Sequence, residues 1–233
     1  MNKYNYHPSL NWITYNCQNF KSNKAYITDL INKNDICFFI EHWLQNNEKY
    51  LFQEIATDHH IIFHSDYEKF DAFTNKIKHG RPNGGLCWLI RKNIDLVAYK
   101  IFNEKITNIE IKINNNHLIL YGIWLPYFNG TAQNLAFYQS NISLLESELK
   151  LNKMENVLII GDFNSDTKRS NKFDKLLIEF ISKNKLIDVY DPKKQKIDYT
   201  YKSGNNKARI DHILANNNCI RKVISSKILI KWS

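Results

Sequence analysis

The chain has 233 residues, 43% of them hydrophobic and 13% aromatic, which is enough apolar material for a substantial core and too much for disorder. No run approaches the roughly 18–20 uninterrupted apolar residues of a membrane span, and the opening MNKYNYHPSLNWITYN lacks the apolar stretch of a secretory signal, so an intracellular protein, nuclear or cytoplasmic and not secreted, is expected. The formal charge of +9, from 32 Lys and Arg against 23 Asp and Glu, favours a phosphate-bearing partner, although a Lys-, Asn- and Ile-rich composition from an AT-biased coding sequence gives the same balance without one.

In chain order, LNWITYN (Leu10–Asn16) reads as a strand, followed by a helix at about Asn23–Asn32 and a continuous apolar strand at Asp35–Glu41. HIIFHS (His60–Ser65), GGLCWLIRK (Gly84–Lys92), ITNIEIKI (Ile106–Ile113) and HLILYGIWLP (His117–Pro126) are further strands. Ala132–Leu151 spaces its apolar residues at three and four, as a helix with one buried face requires, and Asn171–Asn184 does the same. Between them lies the strand NVLIIGD (Asn156–Asp162), and after them ARIDHILAN (Ala208–Asn216) and an alternating run at Val223–Trp232. No internal repeat, low-complexity tract or Gly/Ser linker interrupts this order, so a single α/β (α+β) domain over residues 1–233 is expected. Cys17, Cys37, Cys87 and Cys219 form no C-x-x-C pair and read as reduced, buried thiols.

Polar residues close several of these strands. Asn16 ends the first, Glu41 the second, Asp162 and Asn164 follow VLII, and Asp211 lies within RIDHIL. Singly, each is the kind of residue that forms a turn or a cap. Jointly, five such groups converge if the strand ends share one rim. Crowded carboxylates repel, and a divalent cation relieves them; hard oxygen ligands suit Mg²⁺, with Mn²⁺ as the alternative ion.

Six segments carry a family resemblance: WITYNCQNF, ICFFIEHWL, GRPNGGLCWLIRKNI, YGIWLPYF, IIGDFNSD and YTYKSGNNKARIDHIL. In this order and spacing the chain resembles the endonuclease/exonuclease/phosphatase superfamily, and within it the endonuclease domains of LINE-type retrotransposons and their domesticated relatives. The resemblance implies a four-layer sandwich of two packed mixed β-sheets flanked by helices. It implies that Glu41 holds Mg²⁺ with Asn16 beside it, that Asp162 orients or deprotonates the attacking water, and that Asn164 donates to phosphate oxygen. Asp211 is expected to support the rim, Thr200 to contact the substrate backbone, and Trp124, Tyr127 and Arg81 to bind substrate. Phe163, between the two polar residues, is expected to point into packing.

Trp124 stands where the resembled family has tyrosine, so the aromatic wall and a donor N–H are kept but the phenolic hydroxyl is lost; Tyr127 restores one only if the loop bends back. His59, His60 and His64 lack paired acids or cysteines and read as ordinary strand histidines. Asp211 and His212 are adjacent on one strand and face opposite ways, so they do not form a catalytic pair. The basic stretches Asn75–Pro82, Asp166–Lys172 and Asp191–Lys196 fall in loops that could grip a DNA backbone. In the resembled family the Arg-Ile-Asp strand is followed by one ending in Ser-Asp-His. Here Ser233 comes 22 residues after Asp211, which implies a chain that stops just short of its last catalytic pair.

The expected activity is therefore Mg²⁺-dependent nicking of DNA to 3′-hydroxyl and 5′-phosphate ends, by a monomer, with a reverse transcriptase downstream as a further expectation. Two alternatives stay open: an abasic-site endonuclease or phosphoesterase of the same fold, and an inactive derivative that binds nucleic acid or protein.

Overall fold

The computed structural model describes residues 9–65, 70–71, 76–77, 83–113, 116–152, 155–190, 198–223, 225–226 and 228. The chain divides into two compact units, Met1–Asn93 and Ile94–Ser233, each with its own sheet and its own helices.

In the first unit β1 (Trp12–Asn16) and β2 (Ile36–Ile40) run parallel, connected by α1 (Phe20–Lys33), the crossover that a parallel pair requires. After α2 (Tyr50–Ile55), β3 (His59–His64) and the short pair β4 (Phe70–Asp71) and β5 (Lys76–Ile77), β6 (Leu86–Arg91) inserts between β2 and β3. The sheet order is β1-β2-β6-β3, with every contact after the first antiparallel. Alternation decides what faces the helices: Cys37 and Phe39 of β2 and Cys87 and Leu89 of β6 pack with Ile27 and Ile31 of α1 and Phe52 of α2. The opposite face is buried too, with the rings of Phe38 and Trp88 4.4 Å apart. Helix α1 begins a turn earlier than its apolar spacing indicates, because the Asn19 side chain accepts from the Lys21 N–H and caps it.

In the second unit β7 (Asp95–Ile101), β8 (Ile106–Ile113) and β9 (Asn116–Trp124) form an antiparallel meander. Helix α3 (Ala132–Leu151) then crosses over to β10 (Asn156–Asp162), which pairs parallel with β9. Next come α4 (Lys172–Lys183), β11 (Ile187–Asp188) and a ribbon of β12 (Tyr201–Ser203) and β13 (Asn206–Ala208). The unit closes with β14 (Asp211–Ala215) and the short α5 (Asn217–Ile220), giving the sheet order β11-β14-β10-β9-β8-β7. Tyr121, Ile123, Ile159 and Phe163 bury one sheet face against Tyr138 and Leu145 of α3 and Phe173 and Leu177 of α4.

Two mixed β-sheets flanked by helices are thus the architecture, as expected. Strand β7 escaped the sequence reading because a bulge between Leu96 and Ala98 breaks its alternation and its side chains are mostly exposed. Ala208–Asn216 is not one strand: Arg209 and Ile210 separate β13 from β14. The expected strand at Val223–Trp232 is corrected for its described residues. Val223, Ser225, Ser226 and Ile228 carry no strand, and the Ser226 hydroxyl donates to the Val189 carbonyl (3.0 Å). An alternating pattern supplies a face, but a strand also requires a neighbour's backbone in register. Among the described residues no helix is long and apolar enough to cross a membrane.

Candidate active site

Among the described residues each unit contains one parallel strand pair, and Asn16, Glu41, Asp162 and Asn164 stand at or just beyond the carboxyl ends of those pairs. In the first unit Asn16 closes β1, opposite Ile40 of β2, with Glu41 next in the chain. The Asn16 amide donates to Glu41 Oε1 at 2.8 Å, and the Trp43 indole N–H donates to Glu41 Oε2 at 3.3 Å. Both donors are neutral, so the carboxylate is oriented without losing its charge. That charge is felt by its neighbour: burial, and then the Glu41 carboxylate, push the Cys17 thiol well above its ordinary pKa.

The glycine pair of the GRPNGG stretch explains how this segment is held. The Glu41 N–H donates to the Gly85 carbonyl at 2.9 Å and the Trp43 N–H to the Gly84 carbonyl at 3.0 Å. Between them His42 is buried; its Nε2 lies 3.0 Å from the His64 carbonyl and its Nδ1 accepts from the Leu44 N–H at 3.0 Å, which selects one tautomer. The imidazole stacks on Phe63 at 4.5 Å and lies across Gly85, where any Cβ would overlap the ring. His42 is therefore a buried strut beneath Glu41.

In the second unit Asp162 ends β10, in register with Trp124 of β9 on one side and Asp211 of β14 on the other. The three form a row on the face turned away from α3 and α4. The Phe163 N–H donates to the Ile210 carbonyl at 2.9 Å, which makes Asp162 and Asp211 the closely spaced, non-hydrogen-bonded kind of antiparallel pair. Gly161 precedes them because β9 runs too close for a side chain: an added Cβ would overlap the Ile123 carbonyl, and φ is +132°. The spacing of Asp162 and Asn164 is set by a turn in which the Asp162 carboxylate accepts the Asn164 N–H at 2.8 Å, with Asn164 left-handed at φ 52°. Phe163 between them is fully buried, as expected.

The remaining expected residues divide. One N–H of the Asn164 amide is already committed to the Leu125 carbonyl at 2.7 Å, which aims the group. Thr200 lies beside the row, but its hydroxyl oxygen accepts the N–H groups of both Ile210 and Asp211 at 3.1 Å, so it shapes the start of β14. Trp124 is half-buried with the Lys105 ammonium 3.3 Å from its ring centre, so it is not a core filler. Tyr127 is 69% exposed. Arg81 lies outside the described residues, as do most of the basic stretches at 75–82 and 191–196. The third stretch is a loop up to α4, as expected, and in it Lys168 pairs with Asp198 at 3.0 Å and Arg169 with buried Asp174 at 3.0 Å.

Sequence reasoning missed a buried cluster behind the row. The Arg209 guanidinium donates to Asp188 at 2.7 Å, and His212 places Nδ1 3.0 Å from the same carboxylate and Nε2 2.8 Å from the Ser165 carbonyl. Burial works to raise the Asp188 pKa, but the hydrogen bonds from His212 and Arg209 outweigh it and hold the group below the usual carboxylate range. The Arg209 N–H also donates to Asp166 at 2.8 Å, and the Asp166 N–H to Asp174 at 2.8 Å, so the loop carrying Asn164 is tied from beneath. His212 faces away from Asp211, as adjacent strand residues must. Arg209 and Asp188 are separated by a stretch with no periodic signal, which left their pairing unreadable.

Among the described residues no three His, Cys, Asp or Glu side chains group as a ready metal cage. Mg²⁺ does not need one, since it takes one or two carboxylates and completes its shell with water and substrate phosphate. Glu41, anionic and held by two neutral donors, fits that requirement.

A family model described as Endonuclease/Exonuclease/phosphatase family matches residues 13–229. No curated protein matches the sequence significantly. Solved structures do share the fold. A variant of the 3′ phosphatase NExo from Neisseria, bound to product DNA hairpin, aligns at TM-score 0.64 and 11% identity over 91% of this chain and 89% of that one. An AP endonuclease from Archaeoglobus fulgidus aligns at TM-score 0.62 and 16% identity over 91% and 89%. The human Nocturnin catalytic domain with bound sulfate anion aligns at TM-score 0.64 and 14% identity over 91% and 83%.

Proposed function

Because this chain belongs to the endonuclease/exonuclease/phosphatase family, we propose that it is a divalent-metal-dependent endonuclease that nicks DNA to 3′-hydroxyl and 5′-phosphate ends, as the endonuclease domain of a retrotransposon does. The observation that carries the reading is the strand-end row of Trp124, Asp162 and Asp211, with Asn164 wound beside it on a strained turn.

In this reading Glu41, oriented by Asn16, holds the cation. Bound there, Mg²⁺ supplies neutralisation of charge on the phosphate oxygens. Asp162 orients the attacking water and takes its proton, and Asp211, in register beside it, supports the rim. Asn164 donates its second amide N–H to a phosphate oxygen, its first being held by Leu125. Trp124 walls the substrate with an aromatic face. Protein donors fixed before substrate arrives cost no reorganisation during reaction, which gives the strained turns at Glu41 and at Asn164 a purpose.

The test is nicking of supercoiled plasmid with Mg²⁺ and with EDTA, followed by religation of the nick, which requires a 5′-phosphate and a 3′-hydroxyl. Asp162→Asn should lower the rate by about 10²–10⁴-fold, the range of a lost general base. Cleavage confined to a duplex carrying an abasic site would move the assignment to the repair type of activity. Binding without any metal-dependent cleavage would leave a nucleic-acid-binding derivative.

A further inference from the structure

We propose that Trp43 is a positioning residue for the metal ion, acting through Glu41; the inference rests on the reading of Glu41 as a metal ligand. Its indole N–H donates to Glu41 Oε2 while the Asn16 amide donates to Oε1, so one donor fixes each oxygen of the carboxylate. An ionised carboxylate offers about four lone-pair positions; two are spent on these donors and the others remain for a cation. A carboxylate held at one oxygen only can still rotate about its last bond, and holding the second removes that freedom. The metal then meets a ligand that is already aimed.

The backbone is arranged for this contact. Trp43 sits at φ 56° and Glu41 at φ 53°, conformations that bulky side chains seldom adopt. Both are maintained by the Gly84 and Gly85 carbonyls, which accept the Trp43 and Glu41 N–H groups. His42 between them is buried and locked, so the chain turns over it and returns the indole toward the carboxylate two residues earlier. Trp43 itself is only half-buried, and an aromatic placed purely for packing would not need its one polar atom on a carboxylate.

The measurement is Mn²⁺ binding by calorimetry on the full chain, with nicking followed separately against Mn²⁺ concentration. Partners that orient a metal ligand are typically worth 10–100-fold in affinity, so Trp43→Phe, which keeps a ring and loses the N–H, should weaken Mn²⁺ binding about tenfold. Excess Mn²⁺ should restore its nicking rate. Placed on a Glu41→Gln background, the same change should have no further effect on residual binding. Unaltered Mn²⁺ affinity in Trp43→Phe, or an equal loss with Glu41 already removed, would overturn the proposal, as would a wild-type chain that binds no Mn²⁺. Should Trp43→Phe melt below the working temperature, Trp43→Met provides a second comparison that likewise lacks a donor. A wild-type chain that binds Mn²⁺ through Glu41 yet never nicks DNA would remove the nuclease reading while leaving the Trp43 effect measurable.

Discussion

Glu41 and Asn164 lie in different units yet share an uncommon backbone, with φ of 53° and 52°. Among the described non-glycine residues, positive φ recurs at Gln18, Asn19, Glu41, Trp43, Asn164 and Lys185, and all but the last lie within three residues of a candidate site residue. Such conformations cost about 1–3 kcal/mol each and persist only where surrounding contacts over-determine them. Here those contacts are identifiable: two glycine carbonyls under Glu41 and Trp43, and the Asp162 carboxylate with the Leu125 carbonyl around Asn164. At the same scale, Asp188 supports a pH prediction. Its folded-state pKa is depressed below the unfolded value of about 3.9. The stability it contributes is therefore present in full above that value and is lost as pH falls through it and on through the lower native one. Asp188→Asn should be less stable than wild type by about 3 kcal/mol at pH 7, the cost of breaking a buried ion pair. Urea melts across pH should show that gap shrinking toward pH 3; a constant gap would mean that the Arg209–Asp188 pair does not titrate as described.

At the scale of elements, the parallel pairs matter most. β1 with β2 and β9 with β10 are the parallel contacts of their sheets, each joined by one helix, and each delivers its polar residues from both carboxyl ends to one edge. Crevices beyond the carboxyl ends of parallel strands are where open α/β sheets place ligands, for the same topological reason. The close approach of β9 and β10 at Gly161 makes a sharp test. An alanine there would have to displace the Ile123 carbonyl and adopt φ +132°, so Gly161→Ala should cost about 3 kcal/mol or more. Because Asp162 is the next residue, the change should also lower any nicking rate beyond what the lost stability explains, measured well below the variant's melting temperature. A variant that melts and cleaves like wild type would show that the two strands can part without consequence.

For the whole molecule, the four thiols report on the cores. Cys17, Cys37, Cys87 and Cys219 are free and buried, and burial pushes Cys37 up to about 12 and Cys219 to about 11. Thiolate is the reactive form, so the folded chain should resist a thiol-specific reagent at pH 8 and all four groups should react together on unfolding. Three of them line the first unit's core and one belongs to the second, so a urea titration of reactivity also asks whether the units open in one step. Reaction of three thiols before the fourth would show independent unfolding; rapid reaction of any one in the native chain would contradict the burial.

Local pattern in the sequence was enough to locate most of the strands and the three long helices, because a strand's two-residue period and a helix's period of three to four are written in which side chains must leave water. It also marked Asn16, Glu41, Asp162 and Asn164, since polar groups at the mouths of apolar runs break that period. Tertiary structure alone decided what touches them. That Trp43 reaches Glu41, that Gly85 lies beneath His42, that Asp211 stands in register with Asp162, and that Arg209, Asp188 and His212 join behind the row all depend on strand register and crossover. Register is set by contacts between residues far apart in the chain, and a one-residue slip would reverse every one of these faces, so no local pattern carries that information.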